Sequence, residues 1–207
     1  FFDFALDKPD ARLILDMEAT SPAGWDLVAL CEQFGWERKK VIFRHEAAAR
    51  GVYELRERYN VLDVHAVLAF REGFGLPILE AMACGAISAA QDWCAGTEVV
   101  KDGRGLLIPS LDYFMPSTWG GALDKLPDYA ALTKELQRLH DNPEERKALA
   151  RRGMEWAVKQ TWDTAAQNCF DALDKALARK KPTVNVHTNG THAIMNASEP
   201  LVLTEAK

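Results

Sequence analysis

The sequence predicts an α/β fold in which helices cover both faces of a parallel sheet. Two observations lead to this prediction. Short apolar segments alternate with helical patterns from residue 12 to residue 109, which is typical of βαβ units. In addition, 48% of the 207 residues are hydrophobic, which is enough for one substantial core. We therefore expect a Rossmann-like domain over residues 1–180, followed by a tail at 181–207 that is irregular or acts as a docking arm.

The strands of this domain are predicted from short apolar runs bounded by turns or polar residues. They cover residues 12–16, 41–43, 64–70, 86–90 and 106–109. Residues 110–126 are longer than the usual connection between such elements, so we predict an inserted loop without an assigned purpose.

The helices are predicted from apolar residues at helical spacing and from start and stop signals. They comprise the end of a helix at 1–6, a helix within 20–36 capped by Thr20-Ser21-Pro22, a charged helix at 46–59, a short helix at 97–101 and a helical region at 129–179. In the charged helix, Val52, Leu55 and Tyr59 form the predicted inner face. Trp156 and Trp162 are expected in the core, since aromatic residues at helical spacing are usually packing residues.

The centre of the chain is the stretch Arg71-Glu72-Gly73-Phe74-Gly75-Leu76-Pro77-Ile78-Leu79-Glu80-Ala81-Met82-Ala83-Cys84-Gly85. It predicts a glycine loop and then a buried helix, with Pro77 in the first turn and Gly85 at the end. A carboxylate on a buried helix is costly unless it is satisfied, and we expect the amides at the helix start to satisfy Glu80. Glycines let a phosphate approach the backbone. Together with Glu72, the stretch predicts a pocket with two carboxylates for hydroxyl groups and amides for an anion.

Residues 72–85 resemble the signature of retaining glycosyltransferases of the GT-B fold, in the large family 4 group that uses nucleotide-sugar donors. The spacing of the two glutamates, E-x7-E, is not specific alone, since Glu46 and Glu54 repeat it on a helical face that we interpret as solvated. The resemblance extends to residues 59–64 and 96–109, and it covers most of residues 1–180. It implies that the chain is the C-terminal, donor-binding half of a GT-B fold.

The resemblance also implies roles for individual residues. Glu72 corresponds to the catalytic glutamate that contacts hydroxyls of the donor sugar, and Glu80 to the glutamate that accepts hydrogen bonds from the nucleotide ribose. The amides that correspond to contacts with the sugar and the diphosphate belong to Gly73, Phe74, Gly75 and Leu76. The implied reaction is retaining sugar transfer from a nucleotide-diphosphate sugar, with no metal and no other cofactor.

Composition limits the classes of partner. The formal net charge of −5 argues against nucleic acid or an anionic membrane as the main partner, and no apolar run is long enough to span a bilayer. The four cysteines are scattered without metal-ligand spacing, which indicates thiols in a reducing compartment rather than disulfides. We therefore expect a cytoplasmic protein that binds a nucleotide-sugar donor.

The sequence also departs from the family's pattern. The Arg and Lys that usually neutralise the donor diphosphate have no counterpart in residues 1–20, and the acceptor site is absent. The chain starts abruptly, so we expect a fragment that is inactive alone, its acceptor domain being missing or supplied by a partner chain. A second class of function remains open: a non-catalytic structural or interaction subunit that kept the fold, with the tail as a docking arm.

Overall fold

The structure is a computed structural model that describes residues 1–20, 24–44, 51–116 and 123–178. A single turn of 3-10 helix, Arg38–Lys40, precedes the second strand. From the N-terminus onward, the α-helices and strands are α1 (Phe2–Ala5), β1 (Leu13–Leu15), α2 (Leu27–Gln33), β2 (Val41–Phe43), α3 (Val52–Asn60), β3 (Val64–Val67), α4 (Leu76–Ala83), β4 (Ile87–Gln91), α5 (Ala95–Val100), β5 (Leu106–Ile108), β6 (Ser110–Pro116), β7 (Leu123–Pro127), α6 (Tyr129–Asp141), α7 (Pro143–Ala157) and α8 (Trp162–Ala178).

Three parallel strands form a sheet in the order β3-β4-β5, with Ala66 opposite Ala89 and Ala89 opposite Leu106. Strands β1 and β2 form a separate parallel pair. Every residue of β4 is buried, because this strand lies between two others. Its first four residues are small or apolar, and the buried Gln91 side chain donates hydrogen bonds to Ser110 and Lys125. The predicted α/β fold with parallel strands is confirmed.

Helices cover both faces of the three-stranded sheet, because alternate side chains of a strand point to opposite faces. On one face, Ile87 and Ala89 of β4 pack with Leu139 of α6 and Leu149 of α7. On the other face, Ala90 packs with buried residues of α4, α5 and the end of α7. These residues are Ile78, Met82, Val99, Val100 and Ala157. The helix α4 is thus part of the core, as the sequence predicts.

Most predicted elements are confirmed, with ends that differ by at most three residues. The helix predicted at 46–59 is one exception, since α3 begins at Val52. The start of α2 is the other. This helix begins at Leu27, where the Asp26 side chain accepts a hydrogen bond from the Ala29 amide at 2.9 Å. The predicted cap at Thr20-Ser21-Pro22 is therefore wrong, and residues 21–23 lie outside the described part. Aspartate caps helices as well as serine does, and Asp26 directly precedes the periodic residues.

Two side chains predicted to be buried are exposed. In α3, Tyr59 is buried as predicted, but Leu55 is 38% exposed and faces solvent. Residues 46–50 and the side chain of Val52, which belong to the same predicted helix, lie outside the described part. Trp156 packs against the core, whereas Trp162 is 81% exposed, so its predicted core position is wrong. Helical spacing alone does not tell which face a neighbouring element covers.

Residues 110–126, predicted to be an inserted loop, form most of an antiparallel hairpin. Strands β6 and β7 pair with Phe114 opposite Lys125, and the register shifts between Ser110 and Phe114. Residues 117–122 lie outside the described part. A signal for strand was present, since Leu111, Tyr113 and Phe114 are residues that favour strands. We call β6 and β7 the hairpin below.

The chain divides into two compact units, Phe1–Lys159 and Gln160–Lys207. Among the described elements, the first unit holds the seven strands and helices α1 to α7, and the second holds α8. The boundary predicted at 180/181 lies outside the described residues and stays a prediction. None of the helices that the structure describes combines the length and the apolar character needed to cross a membrane.

Candidate functional site

The candidate site is built around the turn that connects β3 to α4, which we call the glycine loop (residues 68–75). Gly75 is buried, has φ +84° and directly precedes α4 as its N-cap. This left-handed conformation strongly favours glycine. A Cβ at this position would also lie 2.9 Å from Cδ1 of Ile78, a core residue. For both reasons, the observed shape of the loop requires a glycine at position 75.

Glu72 stabilises this turn from within the loop. Its side-chain Oε1 accepts a hydrogen bond from the Gly75 amide at 3.1 Å, and its backbone carbonyl accepts one from the Ala95 amide at 3.4 Å. The side chain is half-buried. Its other carboxylate oxygen has no hydrogen-bond partner among the described residues, so it can accept a hydrogen bond from a ligand.

The glycine loop and the first turn of α4 present an edge of backbone amides. The amides of Gly73, Phe74 and Leu76 donate to no acceptor within the part of the chain that the structure describes. An added Cβ at Gly73 would meet nothing within 4 Å, and Phe74 and Leu76 are 61% and 46% exposed. Open amides at a helix start, where the helix dipole is positive, suit an anion.

Glu80 lies one turn further along α4 and is half-buried. The Tyr59 hydroxyl donates a hydrogen bond to its Oε2 at 3.0 Å. The sequence-based expectation that amides at the helix start satisfy this carboxylate is therefore wrong, because Glu80 stands in the second turn and its partner comes from α3. Among the described residues, the other oxygen of Glu80 accepts no hydrogen bond.

Tyr59 is a site residue that the sequence reasoning missed, although it was expected on the inner face of its helix. Burial is the main cause that raises the pKa of Tyr59, and the hydrogen bond to Glu80 raises it further. The hydroxyl therefore keeps its proton and acts as a donor. The rings of Tyr59 and His65 form a T-shaped contact with their centroids 5.4 Å apart. Burial lowers the pKa of His65, which keeps the imidazole neutral at pH 7.

Of the predicted site residues, the structure brings Glu72 and Gly75 into direct contact and places Gly73, Phe74 and Leu76 beside them. The amides of Gly73, Phe74 and Leu76 are open, whereas the Gly75 amide already donates a hydrogen bond to Glu72.

No group of three or more His, Cys, Asp or Glu side chains within the described ranges is arranged to hold a metal ion. All four cysteines are free thiols.

The two carboxylates can accept hydrogen bonds from hydroxyl groups. The open amides, which lie between the two glutamates in the sequence, can hold an anion.

The chain is similar in sequence to a D-inositol 3-phosphate glycosyltransferase of Stackebrandtia nassauensis, with 34% identity over 132 residues. That match covers 63% of this chain and 26% of the relative, so the chain spans about a quarter of the length of this curated relative.

The fold is similar to that of several solved structures. One is the C-terminal domain of the group 1 glycosyl transferase LpcC from Francisella tularensis, with a TM-score of 0.60 and 23% identity, covering 77% of this chain and 74% of that one. Another is HepE from Anabaena in complex with UDP-glucose, with a TM-score of 0.61 and 20% identity, covering 84% of this chain and 44% of that one.

A family model also matches the sequence of this chain. The model described as "Glycosyl transferases group 1" matches residues 42–156, which include the glycine loop, α4 and the whole three-stranded sheet. This range is more than half of the 207 residues. The chain therefore belongs to the group 1 glycosyl transferase family.

Proposed function

We propose that this chain is the donor-binding half of a retaining glycosyltransferase, which transfers a sugar from a nucleotide-diphosphate sugar to an acceptor. The observation that carries the proposal is the amide edge at residues 73–76, with a carboxylate before it and another after it in the chain. Each carboxylate keeps one oxygen without a partner among the described residues. This set of donors and acceptors matches a ligand with hydroxyl groups at both ends of a diphosphate.

In the proposed complex, Glu72 accepts hydrogen bonds from hydroxyls of the donor sugar through its available oxygen. Glu80 accepts hydrogen bonds from the ribose, and Tyr59 fixes its orientation by occupying Oε2. The amides of Gly73, Phe74 and Leu76 contact the sugar and the diphosphate. Because the Gly75 amide already donates to Glu72, we propose that Gly75 contributes its backbone conformation rather than a hydrogen bond.

The chemical contribution of this half would be to stabilise the leaving group. As the bond between sugar and diphosphate breaks, negative charge develops on the phosphate oxygens. Fixed amides and the dipole of α4 stabilise that charge without reorganising. We propose that these groups act without a metal ion. Glu72 would hold the sugar in the orientation in which its anomeric carbon is open to the acceptor.

The comparisons support the class of the reaction rather than its details. The relative from Stackebrandtia is a glycosyltransferase, and HepE was solved with UDP-glucose, which suggests a nucleotide-sugar donor for this chain as well. Because the chain spans about a quarter of the curated relative, we propose that the acceptor site lies in a further domain or on a partner chain. The free cysteines agree with the proposed cytoplasmic location.

A thermal-shift panel with UDP, GDP, ADP and their glucose or mannose conjugates tests this proposal. A ligand at one hundred times its Kd stabilises the folded state by about 2.7 kcal/mol, which raises the Tm of a domain of this size by roughly 5–10 °C. We expect one nucleotide to stabilise the wild type but not Glu80→Ala. The matched control is Glu57→Ala, which removes an exposed glutamate from α3 and should respond as the wild type does.

The panel also separates the two classes of function. If no nucleotide or nucleotide sugar shifts the Tm of a cooperatively folded wild type, the donor-binding proposal fails for this chain and the non-catalytic alternative is favoured. If Glu80→Ala and the wild type respond equally, a nucleotide binds but not at this site.

A further inference from the structure

The hairpin contacts the candidate site, although it belongs to neither the glycine loop nor the parallel sheet. Asp124 of β7 forms an ion pair with Arg71, the residue directly before Glu72. Asp124 is 9% exposed, so its carboxylate is largely shielded from water. A shielded carboxylate needs its partner more than an exposed one does, because desolvation is costly for an unpaired charge. The pair therefore restrains the glycine loop on one side.

A second set of contacts attaches the hairpin to the end of β4. The buried side-chain amide of Gln91 donates to the Lys125 carbonyl of β7 and to Ser110 Oγ of β6, both at 3.0 Å. The Ser110 hydroxyl in turn donates to the Asp92 carbonyl at 2.9 Å. The Lys125 ammonium lies 5.0 Å from the centre of the Trp93 ring. The hairpin is thus anchored beside the segment that leads to Ala95, whose amide contacts Glu72.

We propose that the hairpin is a clasp that holds the Arg71–Glu72 end of the glycine loop in place, and that Asp124 is a positioning residue which acts on Glu72 through Arg71. The loop has few other restraints among the described residues. Its amides at Gly73 and Phe74 are open, and the contact from Ala95 to Glu72 is long at 3.4 Å. Pairing two strands of the hairpin stiffens the platform from which Asp124 reaches Arg71.

Hydrogen exchange tests the clasp without any ligand. In Asp124→Asn the charge of the carboxylate is lost while its size is kept, so the amides of Gly75 and Ala95, which donate hydrogen bonds to Glu72, are expected to exchange about tenfold faster. Amides of α7 should keep their wild-type rates. The control is Glu145→Gln, which breaks the exposed pair with Arg138 between α6 and α7 and should leave the exchange of the Gly75 and Ala95 amides unchanged. Equal rates in Asp124→Asn and the wild type, or a uniform rise across all peptides, would overturn the clasp.

A second experiment asks whether the clasp serves the site, and this part rests on the proposed function. Calorimetric titration compares UDP with UDP-glucose, or the corresponding pair that stabilises the wild type. Because Glu72 is proposed to contact the sugar, Asp124→Asn should weaken binding of the sugar conjugate by about tenfold and binding of the bare diphosphate by less than twofold. Glu72→Ala should show the same selectivity, whereas general damage would weaken both ligands alike.

The outcomes distinguish the two proposals. If the wild type binds neither ligand, the proposed function fails, and the exchange experiment still decides whether the clasp exists. If Glu72→Ala shows the selective loss and Asp124→Asn binds both ligands as the wild type does, the positioning role of Asp124 is refuted while the proposed function stands. If Asp124→Asn weakens both ligands equally, the role is also refuted, since no selective link to Glu72 exists.

Discussion

Replacing Gly75 by alanine is expected to lower the free energy of unfolding by about 1.5–3 kcal/mol. Two structural terms contribute to this value. The first is the backbone, because φ at Gly75 is +84° and a residue with a Cβ in this conformation costs about 1–2 kcal/mol. The second is steric, because the new Cβ would lie 2.9 Å from Cδ1 of Ile78.

The steric term is significant because Ile78 has little room to move. Its side chain is 1% exposed and packs in the cluster with Met82 and Val99. A contact at 2.9 Å forces this side chain away from its preferred rotamer, which costs about 0.5–1.5 kcal/mol. The end of a side chain yields more easily than backbone, so the upper end of this range is not expected.

The assay is urea denaturation followed by tryptophan fluorescence, with Gly35→Ala as the matched control. Gly35 also has a positive φ, +64°, but an added Cβ there meets nothing within 4 Å. The control therefore carries only the backbone term, about 1–2 kcal/mol. The difference between the two variants, about 1 kcal/mol, measures the contact with Ile78.

Two results would refute this reasoning. Equal losses in Gly75→Ala and Gly35→Ala would mean that Ile78 does not close the space beside Gly75. A loss below about 0.5 kcal/mol in both variants would mean that neither position needs a left-handed backbone.

Three further predictions concern the surroundings of the site. Tyr59→Phe removes the donor to Glu80 and should lower stability by about 1 kcal/mol, whereas Tyr53→Phe, at an exposed position of the same helix, should have no effect in the same urea assay. His65 is held neutral by burial, so the unfolded chain takes up a proton that the folded chain resists as the pH falls below about 6.5. Stability should therefore fall from pH 7 to pH 5, and less steeply in His65→Phe; parallel pH profiles would contradict this. Gly73→Ala should change the free energy of unfolding by less than about 0.5 kcal/mol but weaken nucleotide binding, measured by calorimetry, about tenfold. Unchanged binding would show that the nucleotide does not contact this face of the loop.

The sequence was sufficient for the parts of the fold that local chemistry decides. The small, apolar run at 86–90 predicts a central strand, and β4 is buried along its whole length. The glycines and Pro77 predict a loop that leads into α4, and Gly75 is left-handed at that point. In these cases the residue types themselves restrict the backbone, so a short window of sequence contains the answer.

The features that the sequence did not reveal depend on contacts between distant segments. Tyr59 reaches Glu80 across 21 positions, and Asp124 reaches Arg71 across 53. Neither spacing has a local signature. Leu55 and Trp162 fit a helical pattern, yet no described element covers them enough to bury them. The length and the Pro and Gly content of residues 110–126 predict a loop, although the segment also contains strand-forming residues.

The most direct test of the donor site is a calorimetric cycle with the wild type and Glu80→Gln. Each protein is titrated with the nucleoside diphosphate that the panel selects and with its 2′,3′-dideoxy form. If Glu80 accepts hydrogen bonds from the ribose, loss of the hydroxyls weakens binding to the wild type by at least about tenfold and leaves binding to Glu80→Gln nearly unchanged. If the loss of the hydroxyls weakens both proteins by the same factor, Glu80 does not contact the ribose, and the central claim about this site is wrong.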